Sequence, residues 1–185
     1  ELPLEVPLLL FVGTDIRHKG LRDLLEAQDI IRQAYPTSKL IVIGADMEEI
    51  YTLDEPLAKK AASWLITAGI RPPAEIPIWM NACDLFVLPS KSEGLGCVFL
   101  EAAACCRPAV GTRVPGVQEA IQDKVTGLLV DKGDIHGLAR TIIELLDNPE
   151  RRVQMGQAGH RRVTTQFQWV HNAQRTIKLY HELVS

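Results

Sequence analysis

Six short apolar runs, separated by amphipathic or polar segments, constrain this chain more than any other feature. They are "LLLFVG" (Leu8–Gly13), "KLIVIG" (Lys39–Gly44), "LITAG" (65–69), "DLFVLPS" (Asp84–Ser90), "PAVGT" (108–112) and "GLLV" (Gly127–Val130). Their lengths suit strands, and the first, second and fourth are continuously apolar, the pattern of strands covered on both faces. Between them, helices are predicted over Leu21–Ala34, Leu57–Trp64, a short stretch of "PAEIPIWMNA", and Cys97–Cys106, while "GADMEEIYTLDEP" reads as a polar excursion. Parallel strands joined by right-handed helical crossovers give an α/β fold: a doubly wound, Rossmann-like parallel sheet of about six strands with helices on both faces.

The last third reads as helical. Asp134 caps "IHGLARTIIELLD", and Asn148 with Pro149 opens "NPERRVQMG", a strong start signal. "WVHNAQRTIKLYHELV" forms a closing helix over 169–185, with Val170, Ala173, Ile177, Tyr180 and Val184 along one side.

A length of 185 residues suits one domain spanning 1–185. The chain is 46% hydrophobic and 23% charged, as globular proteins are, and no apolar run reaches the roughly 20 residues of a membrane span. No signal-peptide pattern opens it. A net charge of −3 argues against coating nucleic acid, so an anionic ligand needs local devices. Cys83, Cys97, Cys105 and Cys106 show neither zinc nor redox-dithiol spacing. They read as buried free thiols in a reducing, cytoplasmic setting. "ELPLEVP" (1–7) reads as a linker remnant, which implies a longer parent protein.

In an open parallel sheet, ligands bind beyond the carboxyl ends of the strands. Two glycine loops stand there. "GTDIRHKG" brings Gly13, Arg17 and Lys19 to the rim after the first strand. "SEGLG" places Glu93, Gly94, Leu95 and Gly96 before a helix whose free N–H groups face whatever lies above them. A phosphate fits both. Glu101 is the one charge in "CVFLEAAACC", and Cys97, Val98, Ala104 and Cys105, its helical neighbours, cannot pair with it. It reads either as a buried acid satisfied by backbone N–H groups or as one facing a cleft, where carboxylates accept hydrogen bonds from sugar hydroxyls. Glu93 reads either as an exposed loop acid or as the second carboxylate of such a pair.

The stretch "SEGLGCVFLEAAACCRPAV" resembles the donor-binding motif of the family 4 (group 1) glycosyltransferases, two glutamates separated by seven residues. "FVGTDIRHKG", "EIPIWMNACDLFVLPS" and "VPGVQEAIQDKVTGLLVDKGD" are similar to the segments that surround that motif. The resemblance covers nearly the whole chain and implies the C-terminal, donor-binding half of a two-domain GT-B enzyme. It implies that Lys19 contacts the diphosphate of a UDP- or GDP-sugar. Glu101 would meet the ribose, and Glu93 with Gly94, Leu95 and Gly96 the transferred sugar and phosphates. Glu93 and Lys19 would be the catalytic pair, and Gly69, Ile70 and Arg71 would border the base. Retention of anomeric configuration, no metal or other cofactor, and an acceptor-binding N-terminal domain outside this chain are further implications.

Three departures stand out: Thr14 replaces the usual Arg, leaving Arg17 as substitute, Cys106 replaces the usual Gly, and "GADMEE" replaces a more glycine-rich turn. A nucleotide-sugar epimerase of the same architecture and a non-catalytic binding module are the competing functions. The basic run Arg151–Arg162 reads as a solvated helix pair or as a peripheral contact with an anionic lipid surface at the inner membrane face.

Overall fold

The structure is a computed structural model that describes residues 2–3 and 5–184, so Glu1, Leu4 and Ser185 of the expected linker and closing helix lie outside the described residues. Six strands, β1 (Leu8–Val12), β2 (Lys39–Ile43), β3 (Leu65–Gly69), β4 (Leu85–Leu88), β5 (Ala109–Thr112) and β6 (Gly127–Val130), form one parallel sheet in the order β3-β2-β1-β4-β5-β6. Between and after them run α1 (Leu21–Ala34), α2 (Met47–Leu53), α3 (Glu55–Ala61), α4 (Ile76–Ala82), α5 (Cys97–Ala104), α6 (Pro115–Ala120), α7 (Ile135–Leu146), α8 (Pro149–Gln166) and α9 (Trp169–Leu183). The sheet is doubly wound, as expected. α1 packs with α7 on one face, while α4, α5 and α8 cover the other.

Continuous apolar character in β1, β2 and β4 has its cause in this layering. Leu8 to Phe11, Leu40 to Ile43 and Leu85 to Leu88 are all fully buried, since each strand meets a helix above and below. Register runs evenly from Leu8 opposite Lys39 to Val12 opposite Ile43, while β4 sits on the other side of β1, with Leu9 opposite Leu85. Helix α1 buries Leu21, Leu24, Leu25, Gln28 and Ile31, one stripe at helical spacing.

The stretch expected as a polar excursion holds α2 instead, and the helix expected over Leu57–Trp64 is α3, beginning at Glu55 and ending at Ala61. Two aspartates decide this. Asp46 accepts from the Glu49 N–H at 2.9 Å, and Asp54 accepts from the Leu57 N–H at 3.1 Å. Each satisfies an orphan donor of a first turn, which offsets weak apolar periodicity. Trp64 lies beyond α3, buried in the turn that leads into β3.

The cysteine expectation is corrected too. Cys83 is buried and its thiol pKa is pushed up to about 12, first by burial, but Cys97 and Cys106 are exposed and Cys105 is half-buried. On α9, Val170, Ile177 and Tyr180 are likewise exposed, as is Val184 just past its end. Among the described residues no helix is long and apolar enough to cross a membrane.

The basic run on α8 is neither simply solvated nor free. Arg152 donates to the Leu145 and Leu146 carbonyls at 2.7 Å each, and Arg162 donates to those of Ala120 at 2.7 Å and Glu119 at 2.8 Å. His160 Nδ1 meets the Ala104 carbonyl at 2.9 Å, and Arg151 pairs with Glu144. Three α8 side chains therefore satisfy the carbonyl ends of α7, α6 and α5, where helix dipoles favour cations.

Helix α5 ends in a Schellman turn: Arg107 N–H bonds the Ala102 carbonyl at 2.9 Å and Cys106 N–H bonds that of Ala103 at 3.0 Å. This turn demands a left-handed residue, and Cys106 supplies it at φ 56°. Gly156 of α8 lies directly over it; a Cβ there would fall 2.0 Å from the Cys106 carbonyl oxygen. Two opposed outcomes follow. Cys106→Gly relieves the left-handed strain and should stabilise by about 0.5–1 kcal/mol after the entropy of glycine is subtracted, raising Tm by about 2 °C. Gly156→Ala, which helix propensity alone would favour by about 1 kcal/mol, should instead cost about 1–3 kcal/mol through forced separation of α5 and α8. Denaturant unfolding of the two variants checks both signs.

Candidate functional site

The strand order reverses between β1 and β4, and the loops that leave their carboxyl ends, 13–20 and 89–96, lie side by side. Such a switch point is where an open α/β sheet forms its ligand crevice. Gly20 makes the approach feasible: its φ is 75°, and a Cβ there would sit 2.1 Å from the Pro89 carbonyl oxygen.

Three contacts stitch the loops, and a fourth braces the second loop from within. Lys91 N–H donates to the His18 carbonyl at 2.9 Å, and His18 Nε2 lies 2.7 Å from Ser92 Oγ. Lys19 Nζ meets Glu93 Oε1 at 2.7 Å, and Ser90 Oγ donates to the same oxygen at 2.6 Å. Thr112 of β5 holds the Ser90 carbonyl through its hydroxyl. Glu93 is thus no exposed loop acid. Its side chain is only 9% accessible, and Oε2 has no protein partner among the described residues. Lys19 and Glu93, expected to meet different parts of a ligand, are paired with each other.

Gly94 and Leu95 lead into Gly96, which takes φ 64° as the residue before α5. The first N–H groups of α5 therefore open beside the Lys19–Glu93 pair. Helix α5 looks apolar throughout in the sequence, yet Cys97, Glu101 and Ala104 are exposed along one stripe. That stripe, with Leu95 and Leu100, forms one wall of a cleft of about 580 Å³; Phe167, Trp169 and Arg175 belong to the opposite wall. A hollow of about 640 Å³ along α9, beside Gln174, Ile177 and Glu182, is shallow and bears none of the loop residues.

Glu101 therefore resolves the alternative left by the sequence. It faces the cleft and has neither an ion pair nor a hydrogen bond among the described residues. Burial against the cleft walls pushes its carboxyl pKa above the ordinary 4.5, with no cation to bring it back down. An acid of this kind seeks hydrogen-bond donors, and a ligand can bring them.

Of the remaining predicted residues, Gly13 borders this centre, and Arg17, Gly69, Ile70 and Arg71 make their contacts elsewhere. Gly13 begins the first loop and sits against the Lys19 stem. Arg17 Nη2 donates to the Thr52 carbonyl at 2.6 Å, so its guanidinium contacts α2. Gly69 ends β3 at φ 63°, and Ile70 is 79% exposed. Arg71 lies over the Trp79 ring at 5.7 Å and 3.9 Å from Glu75. These three share the carboxyl edge of the sheet with the loops but stand two strands away from β1. The sequence reading missed His18, Ser90, Ser92 and Thr112. Only their positions at the ends of strands marked them. Gly116 was also missed, where a Cβ would fall 2.4 Å from the Glu93 carbonyl oxygen. No group of three His, Cys, Asp or Glu among the described residues is placed to hold a metal ion.

Comparison with known proteins assigns the family. The pattern of the family described as "Glycosyl transferases group 1" matches residues 1–162. The chain is 36% identical over 182 residues to the D-inositol 3-phosphate glycosyltransferase of Pseudarthrobacter chlorophenolicus, covering 95% of this chain and 43% of that protein. Sucrose-phosphate synthase from Thermosynechococcus elongatus superposes with a TM-score of 0.88 at 29% identity, covering 99% of this chain and 47% of the other. Anabaena HepE, solved in complex with UDP-glucose, shares the fold at a TM-score of 0.84 and 21% identity, covering 96% and 49%. The chain spans about half the length of the curated relatives it matches, 48% in the archaeal glycosyltransferase MJ1178 of Methanocaldococcus jannaschii. The chain belongs to the group 1 glycosyl transferase family.

Proposed function

We propose that this chain is the donor-binding half of a glycosyltransferase, holding a nucleoside-diphosphate hexose whose sugar passes to a glycan or glycolipid acceptor bound by a separate N-terminal half of a longer protein. The observation that carries the reading is Glu101: an unpartnered carboxylate on the wall of a cleft, one helical turn past an N-terminus that opens beside Lys19 and Glu93. Those parts have complementary tasks. Lys19 and the first N–H groups of α5 attract the diphosphate and stabilise the charge that develops as the nucleoside diphosphate departs. Glu93 holds Lys19 in place and offers its free Oε2 to a sugar hydroxyl. Glu101 accepts from the ribose diol. The base lies toward Gly69, Ile70 and Arg71, where Trp79 and Arg71 offer a flat surface.

The pairing of Lys19 with Glu93 costs little on binding, because a phosphate can share an ammonium that has three donors. This explains how one cation serves two anions.

A thermal-shift screen of the chain with UDP, GDP and ADP and their hexose derivatives tests the reading. At about 100 times its Kd, a ligand adds about 2.7 kcal/mol, a Tm rise of about 5 °C or more. Absence of any shift at millimolar concentration overturns the assignment. Glu101→Gln should weaken the best ligand about tenfold or more, the loss of hydrogen bonds to a charged acceptor, while leaving the ligand-free chain as stable or more so at neutral pH.

The pH dependence has a definite sign. Because the folded-state pKa of Glu101 is raised, the folded chain holds this proton more tightly than the unfolded chain. The contribution is therefore present below the unfolded value of 4.5 and is lost as pH rises through the folded value. Ribose hydroxyls favour the ionised form, so nucleotide binding in the window just above 4.5 should release a proton. Calorimetry in two buffers of different ionisation enthalpy measures that release, and Glu101→Gln should abolish it.

A further inference from the structure

One oxygen of Glu93 carries all the protein contacts its carboxylate makes among the described residues. Lys19 Nζ meets Oε1 at 2.7 Å, and Ser90 Oγ donates to the same atom at 2.6 Å. A carboxylate oxygen offers two lone pairs, so Oε1 is filled and any further hydrogen bond falls to Oε2. The two groups that hold Oε1 differ in freedom. Lys19 reaches it on a flexible four-carbon stem, and its side chain is 25% accessible. Ser90 is fully buried, and its hydroxyl proton is spent on this one bond.

The backbone that carries the hydroxyl is fixed as well. Pro89 precedes Ser90 with its φ set by the ring. Thr112 of β5 donates its hydroxyl to the Ser90 carbonyl, and the next residue, Lys91, donates its N–H to the His18 carbonyl at 2.9 Å. At the other end of the bridge, the Glu93 carbonyl lies against Gly116 of α6, where a Cβ would collide with it. Ser90 and Glu93 are therefore two anchored positions joined by a side-chain bond. The last torsion of a glutamate is broad, and one bond to a mobile ammonium does not choose its value. A second bond to the same oxygen, from an anchored hydroxyl, does.

We propose that Ser90 is a positioning residue that sets selectivity for the sugar: by fixing the plane of the Glu93 carboxylate, it keeps Oε2 turned to the hexose of a nucleotide sugar. The inference rests on the nucleotide-sugar reading above and adds to it a residue that touches no ligand. Without the hydroxyl, Oε1 recovers a lone pair and the carboxylate is free to turn, so that either oxygen meets Lys19. A hexose hydroxyl then loses its acceptor. The diphosphate keeps Lys19 and the N–H groups of α5, so a ligand without a sugar loses nothing.

Calorimetric titration of the chain with UDP and UDP-glucose, GDP and GDP-mannose, and ADP and ADP-glucose tests this. For the pair that binds tightest, Ser90→Ala should weaken the nucleotide sugar about fivefold or more, and leave the bare nucleoside diphosphate within about twofold of the wild type. Ser90→Cys, which keeps a weaker hydrogen-bond donor, should fall between. In a Glu93→Ala background, Ser90→Ala should change neither affinity further, since it acts only through that carboxylate. Equal weakening of both members of the pair by Ser90→Ala, or by Ser90→Cys where the alanine variant does not fold, assigns Ser90 a loop-holding role and overturns the proposal. So does an additive loss in the Glu93→Ala background. If no member of any pair binds the wild type, the nucleotide-sugar reading fails and takes this one with it. If the wild type binds and Glu101→Gln weakens both members while Ser90→Ala spares both, only this inference falls.

Discussion

The site depends on one ion pair, Lys19 with Glu93, that spans the two loops leaving β1 and β4. Two unit charges about 4 Å apart attract by about 4 kcal/mol at the effective dielectric of a protein surface, and by less once desolvation is subtracted. The Glu93 side chain is 9% accessible, so that subtraction is substantial. The pair therefore contributes more to geometry than to stability. It keeps a cation from swinging into solvent and fixes a carboxylate beside the start of α5, while Ser90 and Thr112 hold the carboxylate from the other side.

Such a pair can be placed only where two loops meet, and the strand order provides that place. Chain reversal at β1 brings residues 74 positions apart into contact. The buried strands beneath are the rigid support: their side chains meet helices on both faces, so the loops above inherit fixed end points. Helix α8 supports the site from the far side. Its glycines lie close on α5, and His160 satisfies the carbonyl end of the helix whose N-terminus faces the cleft. A basic run that resembles a surface patch in the sequence thus works inward, as caps.

Glu101 shows the opposite economy. The ion pair is satisfied before a ligand arrives, whereas Glu101 is left in a half-dry cleft with its pKa raised and no partner among the described residues. A folded chain tolerates such a group when binding relieves it. The two carboxylates of the motif therefore differ in state as well as in position: one is held by protein partners, and the other lies on the cleft wall with none among the described residues.

Much of this was legible from residues alone. Continuous apolar runs imply doubly covered strands, and Gly96 before an apolar helix marks an N-terminus open to an anion. Glu101 is conspicuous because nothing within one turn can pair with it. These are local facts, set by periodicity, backbone freedom and the cost of a lone charge. The helix at Met47–Leu53 escaped because two aspartate caps, rather than an apolar stripe, establish it. What the tertiary structure alone decided is pairing between distant residues: Lys19 with Glu93, His18 with Ser92, and Arg17 turned to Thr52. A side chain that reaches several ångströms chooses among partners by where other strands end. No spacing along the chain encodes that choice.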